Sequence, residues 1–396
     1  MAYDFDQVVE RRGTDSVKWN WVDADAIPMW VADMDFPVPP EVTEALHERV
    51  QHGVLGYAFP TDEHREIFCK WQERRNGWRP ETAHTVVAPG VVPSIKAAIE
   101  ACTDPGAGVV VQPPVYFPFY SSVEGAGREL MLNPLKRTGD RYTMDLTHLE
   151  SLFEEGAQML VLCSPHNPVG RVWSEDELRE LGELCVRYGV IIVSDEIHGD
   201  IVFSGHRFIP LPMLSDDIAE ITICCTSPSK TFNIAGNAVS FCVAKNAEIR
   251  GKLKNTLGRF GLDHPSVLEM VATSAAYTHG EPWLNDLLPY LEKNVARIEA
   301  FTAEHAELVR AVPIEGTYIQ WLDFSGLMER ARLDDDGLKS LLETQAKVVL
   351  SHGPTFGPGG ERHQRINLAT PRATLDEGLS RIAKAVEHAG AGTEQV

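Results

Sequence analysis

Between residues 84 and 245 the chain alternates short apolar, β-branched runs with longer stretches of helical period. The runs are His84–Ala88, Gly108–Gln112, Met159–Cys163, Val190–Ser194, Ile221–Cys225 and Val239–Ala244. Each is nearly continuously apolar, the pattern of strands whose sheet is covered on both faces. Between most of them lie helical stretches such as Pro93–Ala101, Asp145–Glu154 and Ser174–Tyr188, the last opened by a Ser174–Glu177 capping box. Strands separated by helices predict an α/β fold, a three-layer large domain around a mainly parallel sheet.

The flanks read differently. Residues 1–40 show little periodicity and contain Met29-Trp30-Val31-Ala32-Asp33-Met34-Asp35-Phe36-Pro37, which predicts an apolar arm packed on another part of the chain. Pro39-Pro40 opens a helix that stops at Gly53, and a second helix runs from Thr61 to Asn76-Gly77. Beyond Lys245 the pattern is helical to about residue 309, with Pro265, Pro282 and Pro289 marking starts or kinks. Candidate strands Tyr318–Asp323, Val348–Leu350 and Arg365–Ala369 then mix with helices near Asp335–Ala346 and Leu375–His388. This predicts a smaller α+β domain that receives the N-terminal arm, and a frayed tail from Ala389-Gly390-Ala391-Gly392 onward. The expected division is 1–48 as arm and part of the small domain, 49–282 as the large domain, and 283–396 as the small domain.

Composition narrows the function. The chain has 396 residues, 43% hydrophobic and 23% charged, as a globular protein would. Its formal net charge of −21 argues against nucleic acid and anionic membranes as partners. The seven cysteines form no Cys-x-x-Cys, and several lie in apolar runs, so they read as reduced thiols of a cytoplasmic protein. No signal peptide and no apolar run of membrane-spanning length is expected.

Candidate chemistry collects at strand ends, where open α/β sheets place their ligands. After Ile221–Cys225 comes Thr226-Ser227-Pro228-Ser229-Lys230-Thr231-Phe232-Asn233. Alone, this stretch admits three readings: a solvated loop, the Ser-x-x-Lys of an acyl transferase, or a Schiff-base lysine holding pyridoxal phosphate. Other strands end in Pro89-Gly90-Val91-Val92-Pro93, a tight turn into a helix suited to phosphate, and in an aromatic loop containing Tyr116. Two more end in a rigid Pro-Asn-Pro-Gly-type loop with Asn167, and in Ser194-Asp195-Glu196-Ile197-His198. The carboxylates and His198 match no zinc or calcium spacing, so no metal is expected.

Taken together the set meets the needs of pyridoxal 5'-phosphate. Lys230 would form the Schiff base and Asp195 would pair with the pyridinium nitrogen. Asn167 would bond the phenolic oxygen, Tyr116 would stack on the ring, and Gly90, Val91, Val92 and Ser227 would hold the phosphate. The acyl-transferase reading fails because Lys230-Thr231-Phe232 is not Lys-Thr-Gly and Ser194-Asp195-Glu196 is not Ser-Asp-Asn.

The sequence resembles the fold-type I pyridoxal-phosphate enzymes, the aspartate aminotransferase superfamily, and within it the MalY/PatB-type cystathionine β-lyase branch. The motifs carrying this are Trp30–Phe36, Gly56-Tyr57, Pro89–Pro93, Asn167-Pro168-Val169-Gly170, Asp195–His198, Ser229–Asn233 and Asn367-Leu368-Ala369-Thr370-Pro371-Arg372. The resemblance implies that Arg372 clamps the substrate carboxylate and that Ala32 lies beside the substrate. It further implies that His198 sits near the phenolic oxygen and that Tyr57 reaches a partner's cofactor phosphate across a homodimer.

The implied activity is β-elimination from L-cystathionine or an L-cysteine S-conjugate, with Lys230 as the base. Transamination and a specialised secondary-metabolism reaction on a thiol conjugate are the alternatives. This chain departs from the branch at Gly236-Asn237-Ala238, at Gly360-Glu361-Arg362-His363 and at Thr370, and the first arginine after the lysine is Arg250.

Overall fold

The computed structural model describes residues 3–391; of the tail expected from Ala389 onward, Ala389–Ala391 instead end the helix Arg372–Ala391, and the part from Gly392 lies outside the described residues. Its centre is a seven-stranded sheet in the order Thr85–Ala88, Ser240–Val243, Thr222–Thr226, Ile191–Asp195, Ala157–Cys163, Gly108–Val111 and Glu129–Leu132. Ser240–Val243 runs antiparallel to both its neighbours, and the other pairs are parallel. Every residue of Thr222–Thr226 is buried, which is why that strand reads as an unbroken apolar run. Glu129–Leu132 was not expected: it is an edge strand with no buried residue, so it lacks the apolar signature of its neighbours.

The helices start where local chemistry tells them to. Thr61 caps Asp62–Asn76, Ser174 caps Glu175–Tyr188 and Ser266 caps Val267–His279, each with the reciprocal bond of a capping box. Gly53, Gly77 and Gly189 end their helices in the left-handed conformation. Pro289 lies inside Glu281–Glu304 without ending it. The segment expected as one helix near 335–346 is α-helical over Asp335–Ser340 and then a π-turn over Leu341–Gln345.

A second, antiparallel sheet orders Arg310–Ala311, Ile319–Asp323, His363–Asn367 and Ser351–His352. The N-terminal arm reaches this end of the chain, where Ile27–Pro28 pairs in parallel with Val348–Val349. The arm then passes between the two sheets and is tied down by side chains from both. Asn367 Nδ2 donates to the carbonyls of Val31 and Asp33, both at 2.6 Å. Asn233 Nδ2 donates to the carbonyls of Met34 and Phe36 at 3.0 and 2.7 Å, and Asn233 Oδ1 accepts from the Met34 amide at 2.8 Å. This is how Trp30–Phe36 comes to cross the C-terminal edge of the main sheet.

Candidate active site

Three adjacent strands deliver the central groups. Cys163, Asp195 and Cys225 sit opposite one another at the C-terminal edge, so Asn167, Asp195 and Lys230 leave the sheet side by side. Ser227 N-caps the single turn Pro228–Thr231, in which Lys230 lies. Lys230 Nζ donates to the Ala32 carbonyl at 2.5 Å. The hydroxyl of Tyr318, a buried residue of the second sheet's side, donates to the same carbonyl at 2.7 Å.

Burial dominates the electrostatics here. It pulls Lys230 down to about 8, with Asp33 and Asp195 opposing and Arg365 assisting. An amine near 8 is partly neutral in ordinary buffer and can accept a proton. The same desolvation pushes Asp195 up to about 7, although its Oδ1 accepts from the Ile197 amide at 3.1 Å. Lys230 offsets only part of that burial, and among the described residues no ion pair holds this carboxyl. His198 is held neutral, well below its usual range, by burial and then by Lys230 and Arg365. Its Nδ1 is buried without a partner among the described residues, and its ring meets Tyr318 edge-on.

Arg365 is the residue that the sequence reading overlooked. It stands in the fully buried strand His363–Asn367. Nη1 donates to Asn167 Oδ1 at 3.0 Å, and Nη2 donates to the Trp30 carbonyl at 2.7 Å and to Ser351 Oγ at 2.9 Å. Its Nε–H is buried and unpartnered, and among the described residues no carboxylate pairs with it. Burial draws it down to about 10. Lys230, Arg365, Ala32 and Tyr116 line one cavity of about 550 Å³.

The expectation for Arg372 is corrected. Arg372 opens the last helix, and its amide donates to Tyr290 Oη at 2.7 Å, beside the aromatic cluster of Phe5 and Phe36. The cleft presents Arg365 instead. The physical reason is the turn after the strand: Asn294 Nδ2 donates to the carbonyls of Leu368 and Thr370 and holds that turn against the helix Glu281–Glu304. A signal for Arg365 existed: an arginine within a run expected to be an apolar strand must be paired or functional.

The remaining expected residues are placed as follows. Gly90 N-caps Val91–Cys102 at φ +105° without a side-chain cap, so the first amides, including those of Val91 and Val92, are open to an anion. Tyr116 borders the cavity with its ring edge-on to Phe119. The Ser227 hydroxyl donates to the Val239 carbonyl at 2.6 Å and accepts from the Ser229 amide at 3.1 Å, so it is engaged as a cap. Tyr57 is fully exposed and touches none of these groups within the chain. The donor set suits a flat, anionic heterocycle: a helix start for a phosphate, an unpaired acid for a ring nitrogen, and a lysine amine between them.

The family model for aminotransferases of class I and II matches residues 24–382. The chain is 43% identical over 389 residues to cystathionine beta-lyase PatB of Bacillus subtilis, covering 97% of this chain and 100% of that protein. It is 35% identical over 394 residues to protein MalY of Escherichia coli, covering 97% and 99%. The crystal structure of cystalysin from Treponema denticola, which contains a pyridoxal 5'-phosphate cofactor, matches with a TM-score of 0.94 at 34% identity, covering 98% and 100%. Matched along nearly its whole length in sequence and in fold, the chain belongs to the aminotransferase class I and II family.

Proposed function

We propose that this chain is a pyridoxal-phosphate-dependent carbon–sulfur β-lyase that converts L-cystathionine or another L-cysteine S-conjugate to a thiol, pyruvate and ammonia. The observation that carries the reading is a buried lysine amine near pKa 8 in one cleft with an arginine that has no anionic partner among the described residues. Similarity to the cystathionine beta-lyase PatB at 43% identity and to a solved C–S lyase of Staphylococcus hominis supports the choice of elimination.

When bound, pyridoxal phosphate supplies an aldehyde carbon for a Schiff base and a protonated ring that draws electron density from the substrate Cα. In this reading Lys230 anchors it, Asp195 faces the ring nitrogen, and Asn167 and His198 lie towards the phenolic oxygen. Tyr116 covers the ring, and the amides after Gly90 meet the phosphate, with Ser227 shaping that turn. Arg365 holds the substrate α-carboxylate. Of its five N–H donors three are engaged and the Nε–H is buried, which leaves one N–H of Nη1, with the guanidinium charge, for a carboxylate. Ala32 fixes the position of the free Lys230 amine, which takes the Cα proton at Nζ.

The reading includes a homodimer in the cytoplasm. An exposed stretch with Val54, Leu55, Tyr57 and Phe59 supports a second copy covering it, with Tyr57 reaching the partner's phosphate site. All seven cysteines are free, and among the described residues no helix is long and apolar enough to cross a membrane. Thiol and pyruvate release from cystathionine and S-alkylcysteines, with no keto acid added, tests the reaction. Turnover that requires a keto-acid acceptor and yields a new amino acid would establish transamination in its place.

A further inference from the structure

The cavity around Lys230 continues outward beyond the space a cysteine backbone needs. Its outer walls are Trp21 and Trp30 from the N-terminal arm, Phe117 from the aromatic loop, and Val349 and Leu350 from the segment beside the π-turn. Trp21 is 73% exposed and Phe117 48% exposed, yet both border the cavity that holds the reactive amine. Large rings left open to water are costly at random positions and are expected where a ligand covers them. The charged groups near the mouth are not fixed: Lys339 and Glu343 are part-exposed and pair loosely at 3.9 Å. Arg365 is the only arginine among the described residues lining the cavity, and it serves the α-carboxylate.

We infer that this outer chamber is the leaving-group subsite, and that it takes cysteine conjugates whose sulfur bears a bulky apolar group, aromatic above all, in preference to cystathionine. The inference rests on the β-lyase reading. The distal half of cystathionine is a zwitterion. It would need a fixed cation and a fixed anion, and it gains nothing from aromatic walls. Its charges would have to part Lys339 from Glu343 to find partners. An arylmethyl group instead buries its faces against Trp21 and Phe117. The Cβ–S bond then breaks with its electron pair on sulfur, and the thiolate takes up a proton. One water is consumed as the remaining three-carbon fragment becomes pyruvate and ammonia.

The test uses holoenzyme with S-benzyl-L-cysteine, S-methyl-L-cysteine and L-cystathionine, following thiol and pyruvate. We expect kcat/KM for the benzyl conjugate to exceed that for cystathionine by roughly tenfold or more. In Trp21→Ala and Phe117→Ala the benzyl-to-methyl ratio should fall by about fivefold or more. A ratio measured within one preparation does not depend on the fraction of active enzyme. Preference for cystathionine overturns the inference. So does an unchanged ratio in both variants, including the case where they weaken self-association and thereby show that the rings cover a second copy. Release from none of the three conjugates defeats the β-lyase reading. Calorimetric binding of the same compounds then still judges the chamber: tighter binding of the benzyl conjugate supports an apolar subsite, and tighter binding of cystathionine overturns it.

Discussion

Replacing Arg365 by lysine keeps the charge but removes the fork. After its bonds to Asn167, Trp30 and Ser351, and with the Nε–H buried, the guanidinium keeps one N–H of Nη1 for a ligand. A charge-assisted hydrogen bond contributes about 1.5–3 kcal/mol, so losing that one costs about 1.5–3 kcal/mol. That corresponds to roughly a 10- to 10²-fold drop in kcat/KM for an S-alkylcysteine. The carboxylate is present before and throughout the reaction, so KM should rise more than kcat falls. Steady-state assays of Arg365→Lys beside Arg372→Met, with melting temperatures as a folding control, separate the two arginines. Arg372→Met should stay within about threefold of wild type, because Arg365 and not Arg372 lines the cleft. A large loss in Arg372→Met together with near-normal KM in Arg365→Lys would refute the reasoning.

Three further outcomes follow from the same geometry. Lys230→Ala should abolish turnover, and borohydride reduction of wild type with pyridoxal phosphate should attach the cofactor mass to the peptide containing Lys230; attachment elsewhere would be contrary. Asp195 has a folded-state pKa of about 7, raised by burial above its usual value, so its stabilising contribution is complete at low pH and is lost as pH rises through 7. Apoprotein should therefore lose stability between about pH 4 and about pH 7, and Asp195→Asn should lessen that loss by up to about 4 kcal/mol; parallel melting curves would contradict it. Gly90 sits at φ +105°, and an added Cβ would meet only Pro93 Cδ at 3.7 Å, so Gly90→Ala is strained by its backbone and not by crowding. It should cost about 1–2 kcal/mol of apoprotein stability and weaken pyridoxal phosphate binding, read by melting and by titration.

Much of this arrangement is legible in the chain itself. The six apolar runs between residues 84 and 245 lie where buried strands form, because a strand covered on both faces leaves no polar alternation to confuse the reading. Glu129–Leu132 escapes the same logic, since an edge strand with no buried residue carries no such signature. Asp195, Asn167 and Lys230 stand out in the sequence because Asp195 ends a strand and the other two lie four residues beyond the end of one. Arg365 is harder: its partners Trp30, Asn167 and Ser351 are remote in sequence and meet only when the arm crosses between the sheets. Arg372 is the more conspicuous candidate, standing in a Pro-Arg after a recognisable motif, yet Asn294 turns that segment away from the cleft. Ser227 is close in sequence to Lys230, but its hydroxyl is drawn to Val239 by the adjoining chain. Tyr57 carries no intrachain sign of its expected role, because such a role needs a second molecule.

The central claim is that the cleft around Lys230 eliminates a thiol from a cysteine conjugate. The direct measurement is simultaneous quantification of thiol, pyruvate and ammonia from an S-alkyl-L-cysteine by the pyridoxal phosphate-loaded protein, without any keto acid. The account predicts equal amounts of all three products over many turnovers, and none from Lys230→Ala. A protein that carries the cofactor on Lys230 yet releases no thiol, or that turns over only with a keto-acid acceptor, would contradict it.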